Sequence, residues 1–254
     1  VIVAVANLIT TAIFLLYLSP QGSWAFSGLD YLAAGNGLLF FLGQWFSIQA
    51  MKSGDIAVHS SALGIKVLIV AALSFMVGLE PKSWSLLTGV ILAVLSVYLV
   101  AGGSASGWKQ HRQTVWLTLL ACFFFGINDF MTGWLSREIG AARWLTIMLS
   151  TSGIISLGLL LTRRKQLGFL YQSPATSGFV FVAGILVGAQ ALLVNLAFSG
   201  YAQPTLSNVV YSSRGVTAVI FLWLIGRQMD PRFRTKQLTG SALMIVALAV
   251  VLTG

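Results

Sequence analysis

From Gln166 to Ser213 the chain runs for 48 residues without an aspartate, glutamate, lysine or arginine. Ser83 to Trp108 and Trp144 to Thr162 also carry none of these charges. A soluble domain normally carries about 25% charged residues, whereas this chain carries 8%. A helix that crosses the hydrocarbon core of a bilayer needs roughly 20 mostly apolar residues. The longest uncharged stretch therefore holds one full span, a turn and the first half of another. The sequence predicts an all-α polytopic membrane protein. Each span in such a fold satisfies its own backbone hydrogen bonds, because lipid offers no partners.

Hydropathy and chain breakers place nine spans at about 1–18, 31–51, 56–79, 84–102, 114–136, 142–162, 178–199, 205–226 and 237–254. Turn and charge signals separate them, among them Ser19-Pro20-Gln21-Gly22, Glu80-Pro81-Lys82, Arg163-Arg164-Lys165 and Asp230-Pro231. Trp24, Trp84, Trp108, Trp116 and Trp144 fall near span ends, where interfacial tryptophans are expected.

The net charge of +9 raises nucleic acid as a partner, but the distribution argues against it. The basic residues sit in short clusters between apolar spans. Taking the loops in alternation, one side holds Lys52, Lys109, Arg112, Arg163, Arg164, Lys165, Arg227, Arg232, Arg234 and Lys236. The other side holds only Lys82, Arg137 and Arg143. The positive-inside rule assigns the first group to the cytoplasm, which turns the C-terminus outward. The expected location is the bacterial inner (plasma) membrane. Cys122 is the only cysteine, so no intrachain disulfide and no cysteine metal site are expected. Its place inside an apolar span suits packing.

The chain also repeats itself. Shifting the third span by 148 residues lays Lys66 on Arg214, His59 on Ser207, Leu63 on Tyr211 and Gly78 on Gly226. A shift of 151 lays Leu87-Thr88-Gly89 on Leu238-Thr239-Gly240 and Gly103 on Gly254. Leu8-Ile9-Thr10-Thr11 resembles Leu149-Ser150-Thr151-Ser152. The expected organisation is a first repeat over 1–103, a connecting loop over 104–113 and a second repeat over 114–254. The second copy has five spans and the first shows four. Five plus five is the simplest reading, with one further helix of roughly 25–30 residues expected before Val1. Repeats with an odd number of spans lie inverted in the membrane, an arrangement that recurs in secondary transporters with midplane sites.

Gly78-Leu79-Glu80, Leu87-Thr88-Gly89 and the helix ending at Gly103, with their counterparts Gly226-Arg227-Gln228, Leu238-Thr239-Gly240 and Gly254, resemble the drug/metabolite transporter (DMT) superfamily, EamA-type. Each half there closes with a Gly-Glu before a final glycine-containing helix. This chain departs from that pattern by placing its acid one residue late, at Glu80, and by carrying Gln228 in the second half. The outward C-terminus also departs from the family's usual placement of both termini inside. The resemblance covers nearly the whole chain. It implies export or exchange of a small metabolite or drug without naming it, since that family handles amino acids, drugs, sugar-nucleotides and phosphorylated sugars.

Lys66 and Arg214 are expected about halfway along equivalent spans. A cation at a helix centre costs roughly 2.5–3.5 kcal/mol on insertion scales, so each needs a partner or a cavity. His59, Leu63 and Lys66 share one helical face by their spacing of four and three, as do Ser207, Tyr211 and Arg214. Asp129 is the only acid deep within a span. It suits either neutralisation of a buried cation or exchange of a proton. Gln44, Gln190 and Asn195 are amides inside spans, able to bind substrate or to join helices. Gly184-Ile185-Leu186-Val187-Gly188 is a close-packing signature, and Trp45, Phe123 and Phe125 read as packing.

The expected substrate site therefore comprises Lys66, Arg214, Asp129, Tyr211, His59, Gln44, Gln190 and Asn195, attracting a group such as a carboxylate or phosphate. Two other classes compete with transport. An intramembrane enzyme acting on a lipid-linked substrate finds no support in an HExxH or GxSxG motif, and no cofactor is expected. A passive channel is the third reading, against which the repeat and the buried ions argue.

Overall fold

The structure, a computed structural model, describes residues 2–17, 27–53, 59, 63–80, 83–100, 112–162, 173–201, 203–212 and 231–253. Among these residues all regular structure is helical. The helices are α1 (Ile2–Tyr17), α2 (Gly28–Ser53), α3 (Lys66–Val77), α4 (Trp84–Val100), α5 (Arg112–Ile139), α6 (Ala141–Thr162), α7 (Pro174–Tyr201), α8 (Pro204–Ser212) and α9 (Pro231–Thr253). Each falls on a segment where hydropathy places a span. Three are long and apolar enough to cross a membrane: α5, α6 and, within α7, Ser177–Phe198. Shorter apolar helices cover Val3–Leu16, Leu63–Val77, Trp84–Ser96 and Leu238–Val250.

The helices gather into two compact units. One contains Val1–Gln44 and Met131–Ala202, the other Trp45–Phe130 and Gln203–Gly254. Each unit draws on both halves of the chain, and each collects the helices that the sequence comparison aligns. The first holds α1 with its counterpart α6. The second holds α3 with α8 and α4 with α9.

In the first unit α1 packs on α6 and α7. Small residues permit this. Gly184 and Gly188 of α7 face Ile9 and Thr10 of α1, and Gly153 of α6 faces Thr11, each so closely that a Cβ would have to displace its neighbour. Close approach brings polar groups into contact that lipid could not satisfy. Thr11 Oγ1 donates to the Leu149 carbonyl at 2.9 Å, and the Asn7 amide donates to Ser152 and Ser156 at 3.2 and 3.0 Å. Asn36 donates to Thr132 Oγ1 at 3.0 Å. Trp144 is fully buried, its Nε1 donating to Thr132 Oγ1 at 3.4 Å. Trp84 and Trp116 are exposed.

At the N-terminus of α2 one half of a capping box is formed. Asp30 Oδ2 accepts from the Ser27 amide at 2.7 Å, while the Asp30 amide donates to the Ser27 carbonyl. Arg143 closes on both Asp30 oxygens, at 2.9 Å from Nε and 2.6 Å from Nη2. These contacts hold the Asp30 carboxyl below its ordinary 3.8, Arg143 having the larger effect and the Ser27 amide the next.

The second unit is built on an apolar cluster of Val67, Ala71, Val90, Ala93, Val209, Met244 and Ala247, drawn from α3, α4, α8 and α9. Ser96 donates to the Gly240 carbonyl at 2.6 Å, near the end of α4 and the start of α9, so these two helices run antiparallel. Gly78 ends α3 in the left-handed conformation, φ 72°, where a Cβ would be strained. Its amide and that of Leu79 both turn back to the Ser74 carbonyl, and the chain emerges at Glu80.

Candidate functional site

Lys66 opens α3 directly after a 3₁₀ turn, Leu63–Ile65. The sequence puts it about halfway along its span, and the described structure adds that it sits at a junction between a 3₁₀ turn and an α-helix, the kind of irregularity that accompanies function. Its Nζ lies 2.6 Å from Asp129 Oδ2, and the two side chains are each 7% exposed. The face of Tyr211 from α8 lies 4.7 Å from Nζ, and the Phe125 ring lies 6.0 Å away. Tyr211 is thus well within cation–π range and Phe125 at its edge.

One face of α5 aligns these groups. Thr118, Cys122, Phe125 and Asp129 recur at spacings of four, three and four, so they point the same way. His59 meets Thr118, Leu63 packs with Cys122, and Lys66 meets Asp129. The shared face of His59, Leu63 and Lys66 expected from the sequence therefore lies along α5. Gly126 makes the approach possible, because a Cβ there would stand 2.8 Å from Ile69 of α3.

His59 is buried, with both ring nitrogens engaged. Nδ1 lies 2.9 Å from Thr118 Oγ1 and Nε2 lies 2.7 Å from Ser47 Oγ. Thr118 spends its own proton on the Thr114 carbonyl at 2.7 Å. It must then accept from His59, which puts a proton on Nδ1, so that in the neutral ring Nε2 accepts from the Ser47 hydroxyl.

Gln44, Gln190 and Asn195 belong to the first unit. Gln44 Oε1 is buried with no partner among the described residues. Gln190 is exposed on α7, whose outward side also carries Leu186, Val187 and Leu193. Asn195 is buried and donates to Ala191 of its own helix at 2.8 Å. Arg214 lies outside the described residues.

Phe125 belongs to the Lys66 group although its position in an aromatic run reads as packing. The sequence signal available was its place one turn before Asp129. Glu80 also went unrecognised beyond its motif. It is 3% exposed, and its Oε1 accepts from the Thr205 amide at the N-terminus of α8 at 2.7 Å.

Comparison with known proteins gives the fold and no activity. No protein-family model matches the chain, and no curated protein matches it. The chain is similar to a solved structure described as "Crystal structure of protein", with a TM-score of 0.69 at 14% identity, over 99% of this chain and 87% of that one. At that identity the likeness concerns the fold alone.

Proposed function

We propose that this chain is a secondary transporter of the DMT superfamily, EamA-type. In this reading it moves a small metabolite bearing an anionic group across the membrane by alternating access. The observation that carries the reading is the buried pair of Lys66 and Asp129 with the half-buried Tyr211 ring over the ammonium. Helices need no such group for stability, since ion pairs taken out of water rarely repay their desolvation. Ionisable residues at membrane depth are by default functional candidates.

Lys66 offers three donors, and one is already directed at Asp129. A substrate carboxylate or phosphate reaching Nζ competes with Asp129 for the same charge. The pair therefore acts as a latch that a suitable anion loosens. Tyr211 and Phe125 supply apolar area beside the charge, which suits a substrate with a carbon skeleton attached to its anionic group. Arg214, aligned with Lys66 in the repeat, is the second expected anion contact.

The test is thermal unfolding of the purified protein against glutamate, citrate, glucose 6-phosphate and choline, with Lys66→Gln and Arg214→Gln alongside. A ligand at a hundred times its dissociation constant stabilises by about 2.7 kcal/mol. The expected result is stabilisation by one or more of the anionic probes that both variants lose. Stabilisation by choline alone, unchanged in both variants, would sink this reading of the site.

A further inference from the structure

Glu80 follows the glycine turn that ends α3, and its carboxyl is buried against the first turn of α8. The Thr205 amide is one of the helix-terminal donors that has no acceptor within its own helix, and Glu80 Oε1 takes it at 2.7 Å. The other carboxyl oxygen, Oε2, is buried and has no partner among the described residues. An ionised carboxylate presents two acceptor oxygens and cannot leave one dry without a large desolvation cost. A protonated carboxyl has no such difficulty, because Oε1 still accepts from the amide while Oε2 carries the proton.

No cation among the described residues relieves this corner. On α3 the only charge is Lys66, at the opposite end of the helix. Neither α4 nor α8 carries a charged residue, and their tyrosines, Tyr98 and Tyr211, are at their far ends. Arg232, Arg234 and Lys236 occupy the start of α9. The bond from Ser96 to Gly240 sets that start beside the end of α4, away from Glu80. Lys82 lies outside the described residues.

We propose that Glu80 is a proton-binding site, holding a proton on Oε2 while this corner of α3 and α8 is closed and releasing it to water when the corner opens. Burial pushes the carboxyl above its ordinary 4.5, outweighing the opposing pull of the Thr205 side chain and amide. The sign follows from linkage. With the closed-state value raised, the closed corner is fully favoured below 4.5 and loses that advantage as pH rises through the raised value. The consequence reaches the ion pair. α3 and α8 are antiparallel, joined at one end by Glu80 and Thr205 and at the other by Lys66 and Tyr211. Opening one end frees the helix that carries Tyr211. The inference stands apart from the transport reading, because it can be tested without any substrate.

The experiment is hydrogen–deuterium exchange of the purified full chain, following the amides of residues 203–212 from about pH 5 to 8 and correcting for intrinsic exchange. In the wild type the opening equilibrium should grow with pH by up to about tenfold per unit, the slope of one linked proton. Glu80→Gln preserves an acceptor for Thr205 and imitates the protonated group, so its profile should be flat. The infrared carbonyl stretch of a protonated carboxyl should be present in the wild type at the acidic end and lost in Glu80→Gln. A flat wild-type profile overturns the proposal even if the variant fails to fold. An equal pH slope in Glu80→Gln, or no carboxyl band that depends on Glu80, overturns it too.

Discussion

Replacing Asp129 by Leu tests whether the Lys66 pair is an energetic unit. An ammonium and a carboxylate 2.6 Å apart attract by about 6 kcal/mol at an effective dielectric of about 20. At 7% exposure for each side chain, water screens little of this. Most of the attraction offsets the cost of burying the two ions. Removing one partner leaves that cost uncovered, at about 3–5 kcal/mol, whereas replacing both with apolar residues of similar size is close to neutral. Asp129→Leu and Lys66→Met should therefore each destabilise strongly, and the two together should recover much of the loss. Both residues make further contacts, and the double-mutant cycle subtracts these. The assay is reversible unfolding in mixed micelles by titration with a denaturing detergent, followed by tryptophan fluorescence. A coupling of at least about 2 kcal/mol is expected. If the double variant is as unstable as the two single losses added together, the pair is not a unit and the reasoning fails.

Three further outcomes follow from the packing. Gly126→Ala puts a Cβ 2.8 Å from Ile69, and this overpacking should cost about 1–3 kcal/mol in the same unfolding assay. Asp30 has its carboxyl held low by Arg143 and Ser27, so it contributes stability above pH 3.8 that disappears as pH falls through the lowered value; Asp30→Asn should flatten that acid limb of a pH–stability curve. For His59 the expected tautomer is Nδ1–H, which nitrogen-15 chemical shifts of the labelled ring report directly; a neutral Nε2–H signal would contradict the chain of bonds through Thr118 and Thr114.

Hydropathy and chain breakers were enough to locate the helices, because the apolar run and the residues that interrupt a helix are both local properties of the sequence. Spacing was enough to put His59, Leu63 and Lys66 on one face, since the helical period is a local property. Gly184 and Gly188 likewise announced a close approach without naming Ile9 and Thr10 as what approaches. Partners were beyond reach for the same physical reason. Lys66 could pair with any acid at its depth, and only the seating of α3 on α5 at Gly126 selects Asp129, 63 residues away. The same holds for Asp30 with Arg143, for Trp144 buried on Thr132, and for Glu80, whose burial depends on the start of α8, 125 residues along the chain. Local sequence determines where a helix forms and which side chains share a face. Which faces meet, and hence which charges are buried together, is decided by packing between segments far apart in the chain.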